Sequence, residues 1–127
     1  MNSISFLFIL IIGDDMNNLY DLECSLFKSE YLCNEEYLNS VFHDDYMEYG
    51  KSGLIYRKKD TIDSLLNSGD RNIKIIDFSS EKIDENTYIV HYISIHNEDN
   101  KVLRTSIWID NGVNLQLLFH QGTFIHK

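Results

Sequence analysis

The stretch Val102-Leu103-Arg104-Thr105-Ser106-Ile107-Trp108-Ile109-Asp110-Asn111-Gly112-Val113-Asn114-Leu115-Gln116-Leu117-Leu118-Phe119-His120-Gln121 reads as two long strands joined by a tight turn. Asn and Gly tolerate positive φ, so Asn111-Gly112 between two strand-like runs is a strong hairpin signal. Working back from it, Glu98-Asp99-Asn100 and Asp84-Glu85-Asn86 punctuate two more runs. Strands are therefore predicted at about 72–82, 87–97, 101–110 and 113–121. The preceding half carries helical spacing. Leu19, Leu22, Leu26 and Phe27 line one face of a helix opening near Asn18. Asn34 followed by Glu35 and Glu36 suits the start of a second, bearing Tyr37, Leu38, Val41 and Phe42. Residues 45–50 read as a strand, Lys51-Ser52-Gly53 as a turn and Leu54-Ile55-Tyr56 as its partner. A third helix is predicted over 59–67. Helices first and a meander of long strands afterwards define an α+β domain with helices on one sheet face.

The chain has 127 residues, 43% hydrophobic and 24% charged, which suits one globular domain. Eleven Lys and Arg against 20 Asp and Glu leave a net charge of −9. That excludes the basic surface a nucleic-acid binder needs to replace phosphate counterions. The apolar run 4–12 is too short for the roughly 20 residues of a membrane span. Residues 1–15 hold no Lys or Arg and lack a small-residue cleavage site, unlike an export signal. The domain is expected to occupy 16–127, with 1–15 an apolar extension, an overcalled start or an added element packed on the domain. The expected location is cytoplasmic, with no membrane partner. Cys24 and Cys33, nine residues apart, do not make a disulfide framework and are expected as buried thiols. No ligand spacing points to a metal, and no cofactor is implied.

The strands are apolar on both sides. Val102, Arg104 and Trp108 point one way and Leu103, Ile107 and Ile109 the other; Val90 and Tyr92 oppose Ile89, Ile93 and Ile95. One helical layer covers one face, so the second needs another cover. A homodimer meeting sheet to sheet is the simplest cover, and the run 4–12 is the other.

Three segments carry a resemblance to a known family. They are Asp44-Asp45-Tyr46-Met47-Glu48-Tyr49-Gly50 with Ser52-Gly53, Arg104-Thr105-Ser106-Ile107-Trp108, and Phe119-His120-Gln121-Gly122-Thr123. Residues 19–124 resemble the nuclear transport factor 2-like superfamily, in its SnoaL-like branch of small uncharacterised bacterial proteins. Leu115 departs from the pattern, standing where that branch usually shows tryptophan. The resemblance implies a cone-shaped α+β fold, about three helices cupped by a curved antiparallel sheet around a pocket. It implies no particular activity, because the fold hosts isomerases, hydrolases, cyclases and non-catalytic binders.

The candidate ligand-binding residues are Glu48, Arg104, Ser106, Trp108, His120 and Gln121. With Asn111-Gly112 as a two-residue turn, opposed positions sum to 223. Trp108 then faces Leu115, Ser106 faces Leu117, and Arg104 faces Phe119 with Gln121 on the same side. His120 falls on the other side unless a bulge redirects it. Arg104, mid-strand among apolar neighbours, has two readings. It is either a fork for a ligand carboxylate or phosphate, or the structural partner of an internal acid such as Glu48. Glu48 carries the matching alternatives of general base and counter-ion. His120 suits acid–base chemistry, ligand donation or a hydrogen-bonded core position. No nucleophile elbow, phosphate loop or zinc box is present, so no reaction is named. Two functions remain open: an internal pocket for a polar or anionic organic ligand, or an acidic protein-binding module such as an immunity-type protein neutralising a basic partner.

Overall fold

The computed structural model describes residues 15–69, 71–97 and 99–125. Among these described residues four helical segments precede or interrupt the sheet: α1 (Asp15–Ser25), the single turn α2 (Ser29–Leu32), α3 (Glu35–Val41) and α4 (Lys58–Leu66). Six strands follow the order β1 (Phe42–Tyr49), β2 (Ile55–Arg57), β3 (Ile73–Asp84), β4 (Thr87–His96), β5 (Asn100–Asp110) and β6 (Leu115–Phe124). They form one curved sheet ordered β2-β1-β6-β5-β4-β3. The expected α+β cone is therefore present. The sheet is not wholly antiparallel: β1 runs parallel to β6. β2 and α4, which lie between β1 and β3, let the chain cross over rather than meander there. The run 4–12 lies outside the described residues, and no helix among them is long and apolar enough to cross a membrane.

Local chemistry explains the helix starts. Asn34 Oδ1 accepts from the Tyr37 backbone N–H at 3.0 Å, closing the first turn of α3. Asp60 Oδ2 accepts from the Arg57 backbone N–H at 3.1 Å and does the same for α4. The core lies between the helices and the concave sheet face. Leu19, Leu26, Leu32, Leu38, Val41, Ile62 and Leu65 pack there on Phe42, Tyr46, Tyr88, Val90, Tyr92, Trp108 and Leu117. Contrary to expectation, Cys33 is exposed and Cys24 only half-buried; both are free thiols.

The β5–β6 hairpin differs from its predicted register in two ways. Its loop spans four residues, 111–114: Asn111 Oδ1 accepts from the Val113 and Asn114 backbone N–H groups at 2.8 and 2.9 Å, and Gly112 has φ +91°. Those two extra residues move Trp108 opposite Leu117 and Asp110 opposite Leu115 without changing which side faces in. Leu118 then bulges, so that Ile107 opposes Phe119 and Arg104 opposes Gly122. A single inserted residue reverses the facing of everything beyond it. His120 consequently turns into the cone, and Gln121 and Phe119 turn out of it. Gln121, predicted in the pocket, is an exposed residue of the convex face.

Candidate functional site

Alternation along the strands delivers a set of polar side chains to the concave face. Glu48, His120, Ser106 and Val90 stand on one rung across β1, β6, β5 and β4, with Gly122, Arg104 and Tyr92 on the next rung of the last three. Gly122 makes room on that rung: a Cβ there would come within 3.2 Å of Val102 Cγ1 and 3.5 Å of an Arg104 nitrogen. Five of the six predicted residues thus face inward, and Gln121 does not.

A residue that sequence reasoning missed stands at their centre. Glu23, on α1, is 1% exposed. Its Oε1 accepts from the Tyr92 hydroxyl at 2.6 Å and its Oε2 from Trp108 Nε1 at 2.8 Å. The sequence carried a signal for it: Glu23 sits one turn after Leu19, on the apolar stripe that continues to Leu26. A carboxylate on a core-facing stripe needs donors, and Trp and Tyr supply them without becoming charged.

Arg104, 9% exposed, makes no ion pair among the described residues. Its Nε donates to Ser94 Oγ at 2.7 Å and one terminal nitrogen to His120 Nε2 at 3.1 Å. His120 Nδ1 lies 2.8 Å from Ser106 Oγ. Glu48, half-buried, accepts from the Tyr46 hydroxyl at 2.8 Å instead of pairing with Arg104. The Arg104–Glu48 contact expected from sequence is replaced by neutral partners on β4 and β6, because the Leu118 bulge brings His120 inward to Arg104.

Glu23, Tyr46, Glu48, Tyr92, Arg104 and His120 border a cavity of about 270 Å³ between α1, α4 and the sheet, whereas the predicted Ser106 and Trp108 face inward without lining it. Its walls combine Leu26, Phe27, Phe42, Leu65 and Leu117 with Lys51, Arg71, Arg104, Glu23, Glu48 and His120. Arg71 donates from a terminal nitrogen to the Leu26 carbonyl at 2.8 Å. Its guanidinium carbon lies 4.9 Å from the centre of the Phe27 ring, and that of Arg104 lies 5.6 Å from the same ring. Thr61 Oγ1 and Arg71 Nε, both on residues lining the cavity, are buried and unpartnered among the described residues.

The cone of helices on a six-stranded curved sheet matches many solved structures. One from Cytophaga hutchinsonii, described as nuclear transport factor 2-like, superposes with a TM-score of 0.68 at 19% identity, covering 98% of this chain and all of that one. The fold is nuclear transport factor 2-like. A cystatin-like-fold protein from Caulobacter vibrioides gives a TM-score of 0.70 at 11% identity over 90% of this chain and 92% of its own. A nuclear transport factor 2-like protein of unknown function in nutrient uptake from Rhodospirillum rubrum gives 0.66 at 12% identity over 83% and 93%. No family model and no curated protein matches the sequence. At such identities the likeness establishes the fold alone, and the chemistry of this nuclear transport factor 2-like cone rests on its own residues.

Electrostatics in the cone follow from burial and from crowded cations. Burial pushes the Glu23 carboxyl above its ordinary value, against the pull of Ser106, Tyr92, Trp108 and the Arg104 charge. Burial, then Arg104 and Arg71, hold His120 down to about 3, so it is neutral. Burial, then Arg104 and Arg71, lower Lys51; burial, then Arg104, lowers Arg71. Lys51 and Arg71 are thus both disfavoured as cations by the Arg104 charge, which marks a local surplus of positive charge.

Proposed function

We propose that this domain binds a small organic anion, a monocarboxylate with an apolar body, inside the cone. The observation that carries this reading is the convergence of Lys51, Arg71 and Arg104 on one cavity in a chain of net charge −9. None of the three has a carboxylate within ion-pair distance among the described residues. Both acids in the cavity wall are already supplied with neutral donors: Glu23 by Tyr92 and Trp108, Glu48 by Tyr46. The unpartnered Arg71 Nε and Thr61 Oγ1 add donors aimed at no protein acceptor. An anionic head group would satisfy them, and Phe27, Phe42, Leu65 and Leu117 would take an aryl or branched alkyl body. The cavity volume lies just below the range of about 300–1,000 Å³ usual for small-molecule sites, which favours a compact ligand.

The test is thermal stabilisation by a panel of aryl and alkyl carboxylates, inorganic phosphate and matched neutral amides. Benzoate-like acids should raise Tm in a concentration-dependent way, since a ligand that binds only the folded state stabilises by mass action. Benzamide should not, and Arg71→Leu should abolish the effect. Equal stabilisation by acid and amide, or none by any anion, would overturn the reading.

A further inference from the structure

The hydrogen bonds that run from Arg104 through His120 to Ser106 have a fixed direction. Arginine has only donors, so His120 Nε2, 3.1 Å from an Arg104 nitrogen, must accept. The neutral ring then carries its proton on Nδ1 and donates to Ser106 Oγ at 2.8 Å. The Ser106 hydroxyl keeps its own proton to donate, and both Ser106 and the Arg104 charge favour the ionised form of Glu23. Each donor of this relay points away from the guanidinium, the polarisation expected of neutral groups chained to a cation. Arg104 is the cation that supports the Glu23 charge.

An anion seated on Arg104 takes that support away and places a second negative charge in the same low-dielectric space. Tyr46 on β1, Tyr92 on β4, Arg104 on β5 and Cys24 beside it on α1 interact electrostatically with Glu23, and of these four Arg104 is the cation. His120 on β6, Glu48 on β1, Lys51 and Arg71 line the same cavity. His120 cannot relieve the repulsion by taking a proton, because its free lone pair faces the Arg104 guanidinium. Glu23 can, and it has an acceptor ready for that proton in the Tyr92 oxygen, 2.6 Å away. Tyr92 also lines the cavity, so its own O–H is then free to turn toward the ligand.

We infer that the cone takes up its anion together with one proton from solvent, the proton lodging on Glu23 while the Tyr92 hydroxyl turns from Glu23 to the ligand. The inference rests on the anion-binding reading above and adds that the site captures, in net terms, a weak acid in neutral form. The proton is balanced throughout: one enters at Glu23, and Tyr92 keeps its own while changing acceptor.

Calorimetric titration of the full chain with sodium benzoate, between about pH 6 and 8, tests this in amine buffers of different ionisation enthalpy, which report protons exchanged per ligand. Net uptake approaching one proton per benzoate is expected, with Kd weakening up to about tenfold per pH unit where uptake is complete. Glu23→Gln should bind benzoate with a pH-independent Kd and no proton exchange, whereas Glu48→Gln should keep the uptake. Benzoate binding without proton uptake in the wild type would overturn the coupling and leave the anion site standing. Uptake that survives Glu23→Gln, or disappears in Glu48→Gln, would equally overturn it. If Glu23→Gln fails to fold, the wild-type proton count and the Glu48→Gln result decide the matter. Absence of binding by benzoate and by the other carboxylates removes the anion site itself, and the coupling with it.

Discussion

On β4 and β5 the residues facing into the cone are Tyr88, Val90, Tyr92 and Ser94, and Val102, Arg104, Ser106 and Trp108. The residues on the opposite side of the same strands are Ile89, His91, Ile93 and Ile95, and Leu103, Thr105, Ile107 and Ile109. The concave face buries an arginine, two serines and hydroxyl-bearing aromatics, while the convex face leaves aliphatics half-buried or, for Leu103, 50% exposed. That inverts the usual arrangement, in which a one-layered antiparallel sheet hides aliphatics and wets its polar side. Each face is costly for a different reason. Polar groups inside must all find partners, and apolar groups outside must find a cover. The concave face meets its cost through the Glu23 and Arg104 networks, and a second copy of the chain is the expected cover for the convex one. The lesson is that one pair of strands presents two chemically opposite faces at once, with the pleat keeping them apart.

The largest expected effect lies at the concave centre. Trp108→Ala should lower stability by about 3–5 kcal/mol in a urea titration, because it empties the most voluminous buried site and strips Glu23 of a donor. A loss below about 1 kcal/mol would show that the concave network is not what holds the cone together.

The same face should govern acid stability. Folded His120 is held at about 3, whereas the unfolded side chain titrates near about 6.5. The unfolded chain therefore takes the proton first, so stability present above about pH 6.5 is lost progressively down to about pH 3, on the order of 5 kcal/mol in all. His120→Gln should flatten that limb of the stability–pH curve. Glu23 acts in the opposite sense, because its raised value costs stability as pH climbs through it. Denaturant midpoints measured across the acid range separate the two, and an unchanged acid limb in His120→Gln would count against the buried neutral histidine.

A smaller effect separates the two acids of the cone. Arg104→Met should cost about 2–3 kcal/mol by stranding Glu23 and leaving Ser94 and His120 without their donor. Adding Glu23→Gln should recover part of that loss, with a coupling above about 0.5 kcal/mol, and adding Glu48→Gln should not. Rescue by Glu48→Gln alone would restore the Arg104–Glu48 pair that the sequence suggested.

The smallest effect on folding, and the sharpest on the comparison, belongs to the convex face. Leu103→Lys should change chain stability by no more than about 0.5 kcal/mol. It should also convert a species of about twice the 14.9 kDa chain mass into the monomer, as read by light scattering. A wild-type monomer at micromolar concentration would leave that face uncovered and shift attention to the run 4–12.

Period and punctuation determined most of the fold. The helical stripe from Leu19, the cap at Asn34, the strand limits at Asp84-Glu85-Asn86 and Glu98-Asp99-Asn100, and the inward facing of Arg104, Ser106 and Trp108 all follow from spacing of a few residues. Those features are set by interactions local in sequence or by strict alternation along a strand, so they can be read without the rest of the chain. Three decisive matters were not local. The Leu118 bulge, which sends His120 in and Gln121 out, is a one-residue adjustment that the hairpin sequence does not declare. The parallel β1–β6 pairing joins segments about seventy residues apart. The role of Glu23 arises only when α1 is laid on β4 and β5, because its donors Tyr92 and Trp108 lie 69 and 85 residues away. Alternation determines which side a residue takes along an unbroken strand, but only tertiary packing decides where that alternation breaks and which distant donors meet a buried charge.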